Sequence, residues 1–298
     1  MDLSDFLDNC CKDCVFKSDI PEESKKEPCL LGIDEAGRGP VLGPMVYGIA
    51  YYPIKVKSVM EKQDFADSKT LTESKREEIF NKILNNKVAN FGWMTMVLSP
   101  VTISNSMFKR TKYNLNSLSH DTAMGLIQRA IDEGVNVEEV YVDTVGPEAK
   151  YKAKLSDRFP TINFTVAQKA DSKYSVVSAA SICAKVIRDR IIANWRFRED
   201  VKNIGDYGSG YPADPKTKAF LQKNMDPVFG YPSFVRFSWS TADSILESKA
   251  IECEWDEVEE KPTNNNKRSM TQFVPKKKKQ NTFFENRCLK RLTDFSKI

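Results

Sequence analysis

Apolar positions along the chain form five short runs, each about as long as a β-strand. The runs cover residues 29–33, 45–52, 91–98, 137–142 and 162–167. Short apolar runs of this length are typical of buried strands. Short links join the early runs, whereas segments with helical spacing separate the later ones. We therefore predict antiparallel pairing first, parallel crossovers afterwards, and a mixed sheet overall.

Helical spacing appears between and after these runs. Residues 118–133 are amphipathic and stop at Gly134, a residue type that commonly terminates helices. Residues 176–195 place Ala, Ile and Val at helical spacing. Shorter helices are predicted at residues 72–79, 214–224 and 241–250. The pattern predicts an α/β fold with a central mixed five-stranded sheet flanked by helices, with extra C-terminal helices and a tail.

The pattern also predicts three regions of different character. Residues 1–27 are polar and irregular and are expected to form a loose N-terminal arm. Residues 28–246 form the folded domain, of which about 206–246 is its helical C-terminal part. Residues 247–298 are expected to be a flexible tail with a partner-docking segment.

Charge is polarised only in that tail. Residues 251–260 carry six acidic side chains and no basic one, and residues 261–298 carry eleven basic and two acidic ones. The run Lys276–Lys279 is either a nuclear-import or nucleic-acid patch or a solvated charge run. Apolar residues return at Phe283-Phe284 and Leu289–Phe295, which we interpret as a site for docking another subunit of a complex.

The cysteine content and the N-terminal sequence indicate the cellular compartment. The seven cysteines are an odd number, and no apolar core segment follows the N-terminus, so we expect a protein that is not secreted and works in a reducing compartment. The charge-free stretch Val88–Phe108 is too polar to span a bilayer. Cys11 and Cys14 have metal-like spacing, but without a second pair or a nearby histidine a zinc site is disfavoured.

Candidate chemistry begins with acidic residues near predicted strand ends. Asp34 and Glu35 follow the first strand and precede Gly37 and Gly39, which allow a bend and close approach of a ligand to the backbone. Because neighbouring strand residues point to opposite faces, the two carboxylates are expected to share a site only if the strand ends there. An ordinary acidic turn is the alternative.

Two more acids occupy similar places. Asp143 ends the fourth predicted strand, where ligands bind in open α/β sheets, or it caps the next helix. Asp171 precedes the long helix, where an acid also stabilises the helix dipole. If all four acids converge, charges about 4 Å apart repel by roughly 4 kcal/mol at an effective dielectric near 20. An all-oxygen cluster of this kind suits Mg²⁺ or Mn²⁺, and two such ions would assist phosphoryl displacement.

Other polar residues are weaker candidates. Backbone contacts to a nucleic acid are predicted, each with an ordinary surface role as the alternative, for Lys69, Lys112, Asn114, Lys185 and Arg188. Tyr211 lies in a glycine-flanked turn, from which its ring could stack on a sugar or base and bind a 2′-hydroxyl. His120 is interpreted as a structural residue of its helix.

These motifs, in this order, resemble the type 2 ribonuclease H family over about residues 28–246. The matching segments are Asp34-Glu35-Ala36-Gly37-Arg38-Gly39-Pro40, Asp67-Ser68-Lys69, Tyr141-Val142-Asp143, and Asp171 followed by Ala179 to Asp189. The tracts Lys112–Asp121 and Asp206–Pro212 are similar to the catalytic (A) subunit of eukaryotic members in particular.

The resemblance implies a ribonuclease H-like fold and a specific distribution of roles. Asp34, Glu35, Asp143 and Asp171 match the catalytic carboxylates that bind two Mg²⁺ ions, with Mn²⁺ as an alternative. Residues 37–39 match the loop that senses the 2′-hydroxyl, and Tyr211 the tyrosine that contacts the same ribose.

The resemblance also implies an endonuclease. It cuts the RNA strand of RNA/DNA hybrids and cuts 5′ of single ribonucleotides in duplex DNA, leaving 3′-hydroxyl and 5′-phosphate ends. The expected roles are ribonucleotide removal from DNA and removal of RNA primers in replication. Eukaryotic members are heterotrimers with two non-catalytic subunits, and a nuclear location is expected, with a cytoplasmic pool allowed.

Two alternatives remain open at this stage. A glycosidase also uses paired carboxylates but needs no metal, so insensitivity to EDTA would favour it. A binding or scaffold protein with a vestigial acidic cluster would bind hybrid and never cut it.

Overall fold

The computed structural model describes residues 1–61, 71–85, 88–110, 113–199, 201 and 204–252. Residues 1–252 form one compact unit. Lys69, Lys112 and the predicted tail segments after residue 252 lie outside the described residues. No helix in the described part of the chain is both long enough and apolar enough to cross a membrane.

A mixed sheet forms the centre of this unit. Its strands are β1 (Cys14–Lys17), β2 (Cys29–Ala36), β3 (Met45–Pro53), β4 (Gly92–Leu98), β5 (Val137–Asp143) and β6 (Asn163–Ala167), in the order β1-β4-β3-β2-β5-β6. Strands β1 to β4 pair antiparallel, and β2, β5 and β6 pair parallel. The mixed sheet and the change of direction at β2 confirm the prediction, but the sheet described here has six strands and not five.

The additional strand comes from the segment that was predicted to be a loose arm. There β1 pairs with β4, and Leu3, Phe6 and Cys10 are buried in the core. The sequence prediction was wrong here because each local element is too short to show a period: the first helix and β1 span only four residues each. The partner of β1 is β4, about 80 residues away, and this distant pairing decides that β1 is a strand.

Helices cover both faces of the sheet. They are α1 (Ser4–Leu7), α2 (Glu22–Lys26), α3 (Lys57–Met60), α4 (Glu73–Leu84), α5 (Pro100–Met107), α6 (Leu115–Asp132), α7 (Glu148–Arg158), α8 (Ala170–Lys173), α9 (Ser175–Ala193), α10 (Pro215–Lys223) and α11 (Ser240–Lys249). Side chains of α4 and α9 form one core layer with alternate residues of β2 and β3, while α6 and α7 form the other. A smaller cluster joins α10 and α11 to Val41 and Leu42.

Helix α9 lies directly on the two central strands. A Cβ atom at Gly32 would collide with the main chain of Val176, and one at Gly48 with the carbonyl of Ala180. Glycine on β2 and β3 thus allows the backbones to approach. This contact fixes α9 over the end of β2, where the candidate acidic residues begin.

Candidate active site

The parallel register brings two of the predicted carboxylates to one edge of the sheet. Ile33 of β2 pairs with Val142 of β5. The next residue along each strand, Asp34 and Asp143, therefore lie side by side at the carboxyl ends of these strands, where open α/β sheets bind ligands. Asp34 is buried, and its carboxylate also accepts a hydrogen bond from the amide of Glu35 at 2.8 Å.

Strand β2 continues further than the sequence suggested. Its pairing with β3 extends through Glu35 opposite Tyr47 to Ala36 opposite Val46. Asp34 and Glu35 are therefore both strand residues that point to opposite faces, and the strand end on which the sequence reasoning made a shared site depend is not at these residues. Asp34 faces α9, where Ser181 hydrogen-bonds to it, and Glu35 faces the layer that contains Tyr47.

Asp171, the fourth predicted carboxylate, lies next to a main-chain amide that binds Asp143, the third. Asp143 accepts a hydrogen bond at 2.8 Å from the amide of Ala170, the first residue of α8. Asp171 follows and is almost fully buried. Lys169, just before, has left-handed backbone angles (φ 52°), which turn the chain from β6 into α8. Asp171 thus lies in a separate short helix before α9.

The charges of these acids act on one another. Burial raises the pKa of Asp34 to about 7, and the charges of Asp143 and Asp171 contribute to the rise. Burial likewise raises the pKa of Glu35 to about 8, with contributions from Asp34 and Asp143, while the Arg38 charge acts in the opposite direction. Ionising the whole set is therefore unfavourable unless a cation is shared.

The donor set fits a divalent cation. All four groups are carboxylates, and oxygen ligands are those that Mg²⁺ and Mn²⁺ prefer. A bound cation would offset the repulsion that raises the two pKa values. Within the described residues, no three such groups stand close enough to form a closed ligand set. The carboxylates line an edge and do not form a cage.

The predicted glycine loop, Gly37–Gly39, lies beside these acids, and side chains from other parts of the chain hold it in place. Gly37 has φ +74°, and a Cβ atom there would overlap the side chain of Arg188. Arg188 is half-buried and donates hydrogen bonds to the carbonyls of Leu42 (3.3 Å) and Pro44 (3.1 Å). In this structure, main-chain carbonyls accept hydrogen bonds from the Arg188 guanidinium. Its predicted contact with a nucleic-acid phosphate stays a prediction.

A second arginine, Arg236, holds the Gly37–Gly39 loop. It is fully buried and donates to the carbonyls of Gly37 (2.6 Å), Arg38 (3.1 Å) and Gly43 (2.8 Å). Trp239 packs under its guanidinium and donates from its indole nitrogen to the carbonyl of Gly39 at 3.0 Å. Sequence reasoning missed both residues. The available signal was an arginine within the apolar segment 233–239.

Tyr211 meets the loop from the other side, and its predicted contact with a ribose stays a prediction. A Cβ atom at Gly39 would lie 3.1 Å from the Tyr211 ring, and about half of the Tyr211 side chain is exposed. The turn that carries it is anchored because Gly210 accepts a hydrogen bond from the Val41 amide at 2.8 Å. An exposed ring therefore stands against the glycine loop next to the carboxylates.

The remaining predicted contacts have different outcomes. Asn114 is the N-cap of α6, where its side chain accepts a hydrogen bond from the Ser117 amide at 2.9 Å. This contact accounts for its side-chain oxygen, so its predicted nucleic-acid role stays a prediction. Lys185 is half-buried on α9. His120 stacks on Tyr151 with ring centroids 3.8 Å apart, which agrees with a structural role.

Comparison with known proteins identifies the fold and the chemistry together. The sequence matches the family model Ribonuclease HII over residues 31–242. The chain belongs to the ribonuclease HII family. The match contains all four carboxylates, the glycine loop and Tyr211. It shows that the protein is an endoribonuclease of the ribonuclease H type and decides against both the glycosidase and the non-enzymatic alternatives.

Individual relatives agree with this family. The A subunit of ribonuclease H2 from Bos taurus is 56% identical over 261 residues, covering 87% of each chain. The protein of the same name from Mus musculus is 56% identical over 266 residues, covering 88% of each. Among solved structures, ribonuclease H2 from Pyrococcus horikoshii OT3 superposes with a TM-score of 0.61 at 30% identity, covering 74% of this chain and 98% of that chain. The ribonuclease H-like fold is thereby confirmed.

Proposed function

We propose that this ribonuclease HII-type endonuclease cleaves the RNA strand of RNA/DNA hybrids and cuts on the 5′ side of single ribonucleotides in duplex DNA. The observation that carries the proposal is that the carboxylates lie beside a loop and a tyrosine suited to contact a ribose. Asp34 and Asp143 lie at the edge, and the Gly37–Gly39 loop with Tyr211 stands next to it.

The recognition element suits a 2′-hydroxyl. The Gly37–Gly39 loop lacks side chains at two of its three positions, which lets Arg188 and the Tyr211 ring pack directly against its backbone. Arg236 and the indole of Trp239 hold the loop carbonyls from behind, and Arg188 packs against Gly37, which fixes the loop before substrate binds. The Tyr211 hydroxyl and ring are available from the opposite side. The 2′-hydroxyl is the group that distinguishes RNA from DNA.

The proposed reaction is hydrolysis of one phosphodiester bond. A water oxygen forms a bond to phosphorus while the bond from phosphorus to the upstream 3′-oxygen breaks, and that oxygen leaves as a hydroxyl. Asp34, Glu35, Asp143 and Asp171 are the residues that would hold two Mg²⁺ ions, with Mn²⁺ as an alternative. When bound, such ions activate water and stabilise the leaving oxygen.

Assembly and location are further parts of the proposal. The similar mammalian proteins are named as one lettered subunit of ribonuclease H2, which supports a complex for this chain. We place it in a heterotrimer with two non-catalytic subunits. The proposed location is the nucleus, with a cytoplasmic pool allowed, and the proposed roles are ribonucleotide excision from DNA and removal of RNA primers.

The test is cleavage of a DNA duplex that holds one ribonucleotide, with Mg²⁺, by the full chain co-expressed with its partner subunits. We expect a cut 5′ of the ribonucleotide and no cut in all-DNA duplex. The double variant Asp34→Ala, Asp171→Ala should be inactive. Cleavage of all-DNA duplex, or an active double variant, would overturn the proposal, as would inactivity of a well-assembled complex.

A further inference from the structure

The start of helix α6 touches both loops that form the active site. Asn116 and His120 are four residues apart, so their side chains lie on the same face of the helix, one turn from each other. One neighbouring loop follows β2 and contains Arg38. The other follows β5 and runs over residues 144–147, directly after Asp143.

Asn116 lies between the two loops. Its side-chain oxygen accepts a hydrogen bond from a terminal nitrogen of Arg38. Its side-chain nitrogen faces the other loop, since a Cβ atom at Gly146 would lie 3.4 Å from it. The Arg38 charge acts on Glu35, so the position of this guanidinium matters to the carboxylate edge. The half-buried Arg38 is thus oriented by a residue outside its own loop.

His120 holds the second loop through a directional contact. Its Nε2 lies 2.9 Å from the carbonyl oxygen of Val145. A carbonyl only accepts, so Nε2 donates and carries the proton. The imidazole plane is fixed because the ring lies flat on Tyr151, at an interplanar angle of 11°. Val145 is two residues from Asp143, whose own carboxylate is bonded to Ala170.

We infer that Asn116 and His120 are positioning residues that keep the two halves of the active site in register. Asn116 holds Arg38 beside Glu35, and His120 holds the loop behind Asp143. Both act through a neighbour, one through a guanidinium and the other through a main-chain carbonyl. The inference rests on the proposed function for its activity readout.

Two substitutions at His120 separate the donor from the ring. His120→Phe keeps a flat ring on Tyr151 and removes the donor, whereas His120→Gln keeps an N–H group at a similar reach. We expect His120→Phe to lower kcat by about 10- to 100-fold, the range for removing groups that orient metal ligands, with KM for the duplex unchanged. His120→Gln should recover most of the loss.

A readout independent of activity is amide hydrogen exchange at residues 144–146 of the full chain. The Thr144 amide bonds to the Ala167 carbonyl at 3.1 Å and reports on this loop. We expect faster exchange in His120→Phe than in the wild type and His120→Gln. If the wild type does not cut the ribonucleotide duplex, the proposed function fails, and the exchange comparison still decides the positioning inference.

Asn116 has its own pair of variants. Asn116→Leu removes the acceptor for Arg38, and Asn116→Asp retains an acceptor oxygen. We expect a raised KM in Asn116→Leu that Asn116→Asp largely restores. The matched control is Gln128→Leu, an amide on the same helix that hydrogen-bonds to the exposed side chains of Asp132 and Arg158. It should behave as wild type.

The inference is overturned by either of two results. One is a kcat and loop exchange in His120→Phe equal to the wild type. The other is an equal loss in His120→Phe and His120→Gln that follows a common fall in melting temperature, since that pattern indicates a structural role alone.

Discussion

A terminal nitrogen of Arg236 donates a hydrogen bond to the carbonyl of Gly37 at 2.6 Å, across 199 positions of sequence. The arginine is fully buried, and burial lowers its pKa well below the usual value. Burying a charge is costly unless its hydrogen bonds are satisfied. Here loop carbonyls accept those bonds, so the charge and the loop conformation depend on one another.

We therefore expect Arg236→Lys to destabilise the fold and disturb the loop together. A lysine lacks the planar fork and would leave buried carbonyls without donors, at a cost of about 1–3 kcal/mol for each orphaned group. Urea unfolding measures this loss. Arg158→Lys, at an exposed position, should change stability by less than about 0.5 kcal/mol. Equal stability of the two variants would contradict the role assigned to Arg236.

Gly37 and Gly125 form a matched pair of glycines. Gly37→Ala places a methyl group against Arg188 at φ +74°, so we expect lower stability and strongly reduced cleavage. Gly125 lies in α6 with open space around its Cβ position, and Gly125→Ala should stabilise the protein by about 0.5–1 kcal/mol through helix propensity. Thermal unfolding with parallel cleavage assays checks both. A neutral Gly37→Ala would show that the loop adapts.

The raised pKa values predict how stability depends on pH when divalent ions are removed. For Asp34, with a usual value near 3.8 and a folded value near 7, the folded state binds more protons between these limits. Stability then falls as the pH rises from about 4 to about 7. Asp34→Asn cannot ionise, so it should match the wild type near pH 4 and exceed it at pH 8.

Urea unfolding in EDTA at several pH values measures this difference. Added Mg²⁺ should stabilise the wild type more than Asp34→Asn, because binding to the folded state raises its stability. A difference in stability between the two proteins that stays constant from pH 4 to pH 8 would show that folding does not raise the pKa of Asp34.

Tyr211 offers a test of ribose recognition. Tyr211→Phe keeps the ring against Gly39 and loses one hydrogen bond, worth about 0.5–1.5 kcal/mol, so we expect a loss of roughly 2- to 10-fold on a single ribonucleotide. Tyr211→Ala also loses the stacking surface and should be worse. Because the side chain is half-exposed, the melting temperature should not move. Equal cleavage by Phe and Ala variants would mean that the ring does not stack.

The tail prediction depends on sequence alone. Deleting residues 281–298 removes Phe283-Phe284 and the apolar segment Leu289–Phe295, so assembly with partner subunits should weaken. Gel filtration of the co-expressed complex measures it. An unchanged complex would refute a docking role for these residues.

Sequence by itself determined most of the central elements, and it predicted the four carboxylates. Short apolar runs and a helix of 19 residues are specified by local pattern, so α9 and strands β3 to β6 were predicted close to their observed bounds, whereas β2 continues beyond its predicted end. The motifs that led to the prediction of Asp34, Glu35, Asp143 and Asp171 follow one another in order along the chain. Position next to a strand end is a local property.

Only the tertiary structure decided the N-terminal region and the support of the site. β1 is a strand because β4 pairs with it, and its four residues are too few to show a local period. Arg236 and His120 act through main-chain carbonyls, at Gly37 and Val145. A carbonyl acceptor is present in every residue type, so the sequence does not indicate which carbonyl such a side chain contacts, and only the fold brings the two groups together.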